Sequence, residues 1–97
     1  MAEVLATYSD TIVSPDGVAY RAQACGGAAA DGRWEAWIEF LPLSGGTAIR
    51  SPRETTQPNR ADAVYWASGL SAVYLEGALD RALHPLVLKE VPTPAAP

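Results

Sequence analysis

Two hydrophobic periods divide the chain. From Glu3 to about Ser51 apolar residues recur at every second position in short runs, as in half-buried strands. From Arg60 to Leu83 they recur at spacings of three and four, as on one face of a helix. The alternation is sharpest in Trp34 to Leu41, where Trp34, Ala36, Ile38 and Phe40 take one side and Glu35, Trp37 and Glu39 the other. The first set is predicted to be core and the second to face outward. Upstream, Glu3 to Val13 is rich in Val, Leu, Thr, Tyr and Ile and predicts a strand. Ser14-Pro15-Asp16-Gly17 supplies turn chemistry. The next strand sets Val18, Tyr20, Ala22 and Ala24 against Ala19, Arg21, Gln23 and Cys25, completing a hairpin.

Gly26 to Arg33, built from glycine, alanine and one Asp-Gly, is predicted as a mobile loop. If the flanking strands turn their apolar faces inward, even positions pair with even ones. That register places Arg21 near Trp37 and Gln23 near Glu35 on the outer face. Pro42 to Gly46 reads as a second turn, and Thr47 to Ser51 as a short strand that Pro52 marks as an edge or an ending. Leu86 to Val91 is a candidate apolar edge strand, and Pro92 to Pro97 a proline and alanine tail with nothing to bury.

In the helical part, Asn59 is the predicted N-cap, with Asp62 three residues on in the capping-box position and Pro58 keeping the preceding chain extended. Ala63, Trp66, Ala67 and Leu70 form one stripe, and Leu75, Ala78, Leu79, Ala82 and Leu86 another. Gly69, suited to the left-handed conformation that ends helices, and Ser71, suited to cap a new one, divide them into Arg60 to Ser68 and Ala72 to Leu83. A single helix weakened by roughly 1 kcal/mol at Gly69 is the alternative. Pro85 ends the pattern in either case. Strands that alternate, followed by helices that need a surface, predict an α+β fold: an antiparallel three- to four-stranded meander with one face covered by one or two C-terminal helices, forming one domain over residues 1–91.

Length and composition narrow the class. A chain of 97 residues with 48% hydrophobic positions can bury a core without disulfides or metal. It contains no apolar run near the roughly 18 residues of a membrane span. The start, Met-Ala-Glu-Val, has neither a basic region nor an apolar signal core, and Cys25 is the one cysteine, so a cytoplasmic location is expected. The net charge of −4 argues against general nucleic-acid binding. Between Arg50 and Arg60, however, three arginines against Glu54 make a local +2, leaving −6 for the rest.

That segment is the first candidate site. Arg50, Arg53, Thr55, Thr56, Asn59 and Arg60 gather donors around a predicted helix start, whose free N–H groups and positive dipole end favour an anion. The plainer alternative is a capped connection whose arginines pair with Glu54 and Asp62 or face water. A second candidate is an interface at Trp37 and Arg21, because a large outward aromatic is commonly covered by a partner. Arg21 stacked on Trp37, or a terminal segment folded over it, is the alternative. Trp34 and Trp66 read as core, with Tyr20, Tyr65 and Tyr74 at its margin.

Catalytic signals are weak. His84 reads as a helix-end residue, and one Cys and one His do not build the usual tetrahedral metal set, so neither a metal nor a cofactor is expected. Glu35 and Glu39 are about 13 Å apart by strand rise, too far for a paired acid and base. Thr55 and Thr56 have no evident base, and Glu76 and Asp80 read as a solvated helix face.

The block Arg53-Glu-Thr-Thr-Gln-Pro-Asn-Arg60, with Tyr65-Trp66-Ala67 and Tyr74-Leu-Glu-Gly-Ala-Leu79, resembles a family of small bacterial proteins. The order of sheet, Asp31-Gly32-Arg33-Trp34 turn, Phe40-Leu41-Pro42 strand end and helix is similar to antitoxins of the HicB type. Neither resemblance assigns a role to a particular residue. The expectation is a non-catalytic protein-interaction module, homo-oligomeric or partner-binding, that uses the outer sheet face or an edge strand. The alternative is a binder of a small anionic ligand at Arg50 to Arg60.

Overall fold

In the computed structural model of the protein, residues 2–85 are described. Five strands, β1 (Glu3–Val13), β2 (Ala19–Ala28), β3 (Trp34–Pro42), β4 (Ile49–Arg50) and β5 (Thr55–Gln57), precede two helices, α1 (Arg60–Ser68) and α2 (Ala72–Leu83). The sheet is antiparallel in the order β1-β2-β3-β4, and β5 continues along β3 beyond β4. Both helices cover one face, giving the predicted α+β architecture. The candidate strand Leu86 to Val91 and the tail after it lie outside the described residues.

Both hairpins are closed by the same turn chemistry. In Ser14–Val18 the N–H of Gly17 donates to Ser14 O at 2.9 Å; in Ala29–Arg33 the N–H of Gly32 donates to Ala29 O at 3.0 Å. Each glycine has φ near +90°, a value side chains disfavour, and each follows an aspartate. The second turn corrects two expectations. Gly26 to Arg33 is not a loop: β2 runs on to Ala28 and the reversal takes only the residues between Ala28 and Trp34. The longer strand shifts the pairing by four residues, so Arg21 lies opposite Leu41 and Gln23 opposite Glu39, while Cys25 faces Trp37. Even positions do pair with even ones. Alternation sets which face a residue takes, but only the turn sets its partner.

Both sheet edges are irregular. On β1, Leu5 is an extra residue between the Val4–Cys25 and Ala6–Ala24 pairs, and a second irregularity spans Thr7 to Thr11. Gly26 answers the first, since a Cβ there would lie 2.7 Å from Glu35 O and 2.9 Å from Leu5 Cδ1. On the other edge the predicted strand Thr47 to Ser51 shortens to β4. Ser51 to Glu54 then bulge against Trp37 and Ile38 before pairing resumes in β5. Ser51 keeps the ladder satisfied: its N–H donates to Ile38 O at 2.8 Å and its Oγ accepts from Ile38 N at 3.0 Å.

The core lies between the helices and the even face of β2 and β3. Ala22, Ala24, Ile38 and Phe40 meet Ala67, Leu75, Ala78 and Leu79, with Ile12 and Tyr20 at one end. Alanines on both layers let helix and sheet approach closely, and Phe40 fills the centre with Tyr20 edge-on at 6.2 Å. Trp34 is only half-buried, at the end of the sheet. Trp66 packs against the core edge-on to Tyr74, and the Tyr8 hydroxyl donates to Ala67 O at 2.6 Å.

Asn59 caps α1, its side-chain oxygen accepting from Asp62 N at 2.8 Å, and Ser71 caps α2 by accepting from Tyr74 N at 3.2 Å. Gly69 separates the helices, but with φ −100° rather than in the left-handed conformation. Asn59→Ala is expected to cost about 1 kcal/mol, the usual value of a lost N-cap. Chemical denaturation checks this, with Ser68→Ala, away from either N-cap, as the comparison.

Candidate functional site

The polar run between β4 and α1 is not a single site. Arg50 projects from β4 on the face away from the helices, its guanidinium 4.1 Å from the Trp37 ring centre. Arg53 reaches Glu35 at 3.3 Å, and Arg60 pairs with Glu3 and lies 6.0 Å from the Trp34 ring. Thr55 Oγ1 accepts from Gln57 Nε2 at 2.8 Å, and Thr56 sits opposite Glu35 in the sheet. Asn59 spends its side chain on the cap. The candidate donors therefore face apart, and Arg53 and Arg60 are engaged by carboxylates other than the expected Glu54 and Asp62. Both pairs are more than 40% exposed, so replacing Arg53 and Arg60 together by Gln is expected to change stability by less than about 1 kcal/mol. A thermal melt checks it.

Glu54 does something else. The bulge turns its carboxylate inward, where Tyr74 Oη donates to it at 2.5 Å and Arg81 holds it through Nη2 at 2.7 Å and Nε at 3.0 Å. Its side chain is 4% exposed against 45% for Arg81. Burial opposes its ionisation, but the bonds from Arg81 and Tyr74 outweigh burial and hold the carboxyl below its ordinary range. Burial and the same carboxylate push Tyr74 up to about 12. This network ties the β4–β5 bulge to α2. Its one sequence signal is that Tyr74 and Arg81 stand seven residues apart, two turns along one helix face.

The second candidate is on the outer face as expected, but its parts differ. Trp37 is 8% exposed, covered by Arg50 rather than by Arg21. Its Nε1 donates to Glu39 at 3.2 Å, and Gln23 donates to the same carboxylate at 3.4 Å. Cys25, beside it in the register, is pushed up to about 11 by burial and by Glu39, so its thiol stays protonated at neutral pH. Arg21 lies exposed toward the far end of the same face. Around this packed centre stand Val4, Val13, Leu41 and Leu43, each 39–55% exposed. The row Val13, Ala19, Leu43 is set by the β1–β2 register and by the bond from Leu43 N to Ala19 O at 3.0 Å. No described element covers this face.

The described clefts lie elsewhere. Two hollows of about 260 and 320 Å³ share Pro15, one lined also by Asp16, Leu83 and His84, the other by Val13, Glu76, Leu79 and Asp80. His84 Nδ1 faces Asp80 at 3.3 Å with both side chains in solvent. Among the described residues no three of His, Cys, Asp and Glu converge as a metal site, and no helix is long and apolar enough to cross a membrane. Comparison with known protein families, curated proteins and solved structures gives no match.

Proposed function

We propose that this chain is a small non-catalytic protein-interaction module whose docking surface is the uncovered face of its sheet, taking another protein or a second copy of itself. The observation that supports it is the composition of that face. Val4, Val13, Leu41 and Leu43 are exposed together around the buried pair Trp37 and Cys25, on a sheet whose other face is already filled by helices. Three strands of nine to eleven residues, with β4 and β5 end to end as a fourth, offer roughly 20 by 30 Å, close to the area one partner contributes to a standard interface.

Addition of a strand at an edge is disfavoured. β1 is twisted by two irregularities, and the opposite edge is broken by the Ser51–Glu54 bulge with Pro52 in it, the devices by which sheets avoid edge pairing. The anion reading loses its donors, because Arg50 is apart and Arg53 and Arg60 are paired.

A photo-crosslinking residue placed at Leu41 or Leu43 is expected to capture protein in the native cytoplasm, with Val73 on α2, 75% exposed, as the control position. Leu41→Asp with Leu43→Asp should abolish association without moving the melting temperature. Equal capture from all three positions would sink the assignment of this face.

A further inference from the structure

We infer that the occupant of the outer sheet face is an acidic amphipathic helix of a partner protein, whose apolar stripe lies on the exposed Leu41 and Leu43 and whose carboxylates reach Arg21 and Arg50; this rests on the interaction reading above. Six arginines lie among the described residues. Four of them are held by carboxylates: Arg33 by Asp31, Arg53 by Glu35, Arg60 by Glu3 and Arg81 by Glu54. Arg21 and Arg50 have no ion-pair partner among the described residues, and both stand on the outer face.

Arg50 makes the point most directly. Its cross-strand neighbour is Glu39, yet the Glu39 carboxylate is turned to Trp37 Nε1 and Gln23, while the guanidinium sits over the Trp37 ring, 4.1 Å from its centre. An arginine held over an aromatic ring makes no ion pair there, so its N–H groups remain available to a carboxylate, and it loses little side-chain freedom when it binds one. Counting Arg21 and Arg50 against Glu39, with Glu35 and Arg53 cancelling, the face carries +1 on a chain whose total is −4. Charge therefore selects for an acidic occupant at this face and against it elsewhere.

The shape selects for a helix. With both edges broken, the backbone offers a partner strand no continuous ladder, whereas the rows of a sheet face accept helical stripes, as the opposite face does with α1 and α2. Arg21 lies one strand and four residues from Trp37, over which the Arg50 guanidinium sits, a separation of about 14 Å by sheet spacing. Two carboxylates two to three turns apart on one helix face span that distance.

The test uses two synthetic helical peptides with the same leucine stripe, one carrying glutamates at the two flanking positions and the other lysines there. Binding to the full chain is followed by amide NMR shifts at Arg21, Trp37, Leu41 and Arg50 and by titration. The glutamate peptide is expected to bind at least about tenfold more tightly at about 50 mM salt, with the advantage shrinking as salt screens the pairs. Arg21→Glu should reverse the preference in a variant that leaves the Arg50–Trp37 stack intact. Equal binding of both peptides, or self-association through the same residues unaffected by Arg21→Glu, overturns the acidic-helix assignment and leaves the docking face standing. Failure of both peptides to shift these amides while Leu41 and Leu43 still crosslink a partner has the same meaning. Failure of both peptides and of the crosslinks overturns both readings.

Discussion

Phe40→Ala is expected to destabilise the protein by about 3–5 kcal/mol, whereas Leu41→Ala, the next residue on the same strand, should cost less than about 1 kcal/mol. Phe40 is fully buried at the centre of the helix-facing side, with Tyr20 against its ring, so its removal leaves a cavity between two layers already lined by alanines that have no side chain to move into it. Leu41 points the other way and is 39% exposed. Urea unfolding of the two variants measures the contrast. Similar losses from both would mean that the outer face is packed against something in the isolated protein, and the uncovered surface on which the functional reading rests would not exist.

The second large effect is expected at the Glu54 network. Arg81→Met keeps the aliphatic stem but removes both charged bonds, leaving a 4% exposed carboxylate with only the Tyr74 hydroxyl. Loss of one partner of a fully buried ion pair costs about 3–5 kcal/mol; Arg81 is nearly half exposed, so a loss of about 2 kcal/mol is expected near pH 7. The pH dependence distinguishes this from a packing defect. Because the folded carboxyl titrates below its ordinary range, its contribution is complete above the unfolded value near 4.3 and is lost as pH falls through the folded value. Parent and variant curves should therefore converge under acid. A gap that persists in acid after the folded carboxyl has been protonated would assign the loss to packing of the Arg81 stem against Tyr74.

Much of this architecture is local in origin. Helix bounds were legible because caps are local: Asn59 and Ser71 each bond an N–H three residues on, and Pro58 and Pro85 bracket the pattern. The face taken by each strand residue was legible for a similar reason, since alternation needs no knowledge of the partner strand. The Ala-Gly stretch after Cys25 reads as a loop in sequence because those residues carry weak strand propensity. It forms a strand because Asp31-Gly32 closes a tight turn and neighbours on both sides pair its backbone.

The polar run shows where local reading ends. Its arginines are adjacent in sequence, and adjacency suggested one site. In β4, pairing with Glu39 puts Arg50 on the outer face, the following bulge of four residues opposite two turns the Glu54 carboxylate toward α2, and Arg53 and Arg60 find carboxylates 18 and 57 residues away. Alternation and caps along the chain determined the fold class, the helix ends and the inner and outer sides of the sheet. The tertiary structure decided the register, the inward turn of Glu54 and which two arginines are left without a carboxylate among the described residues. Those depend on which distant groups meet, and a charge is satisfied by whichever opposite charge lies within a few ångströms, not by its neighbour in the chain.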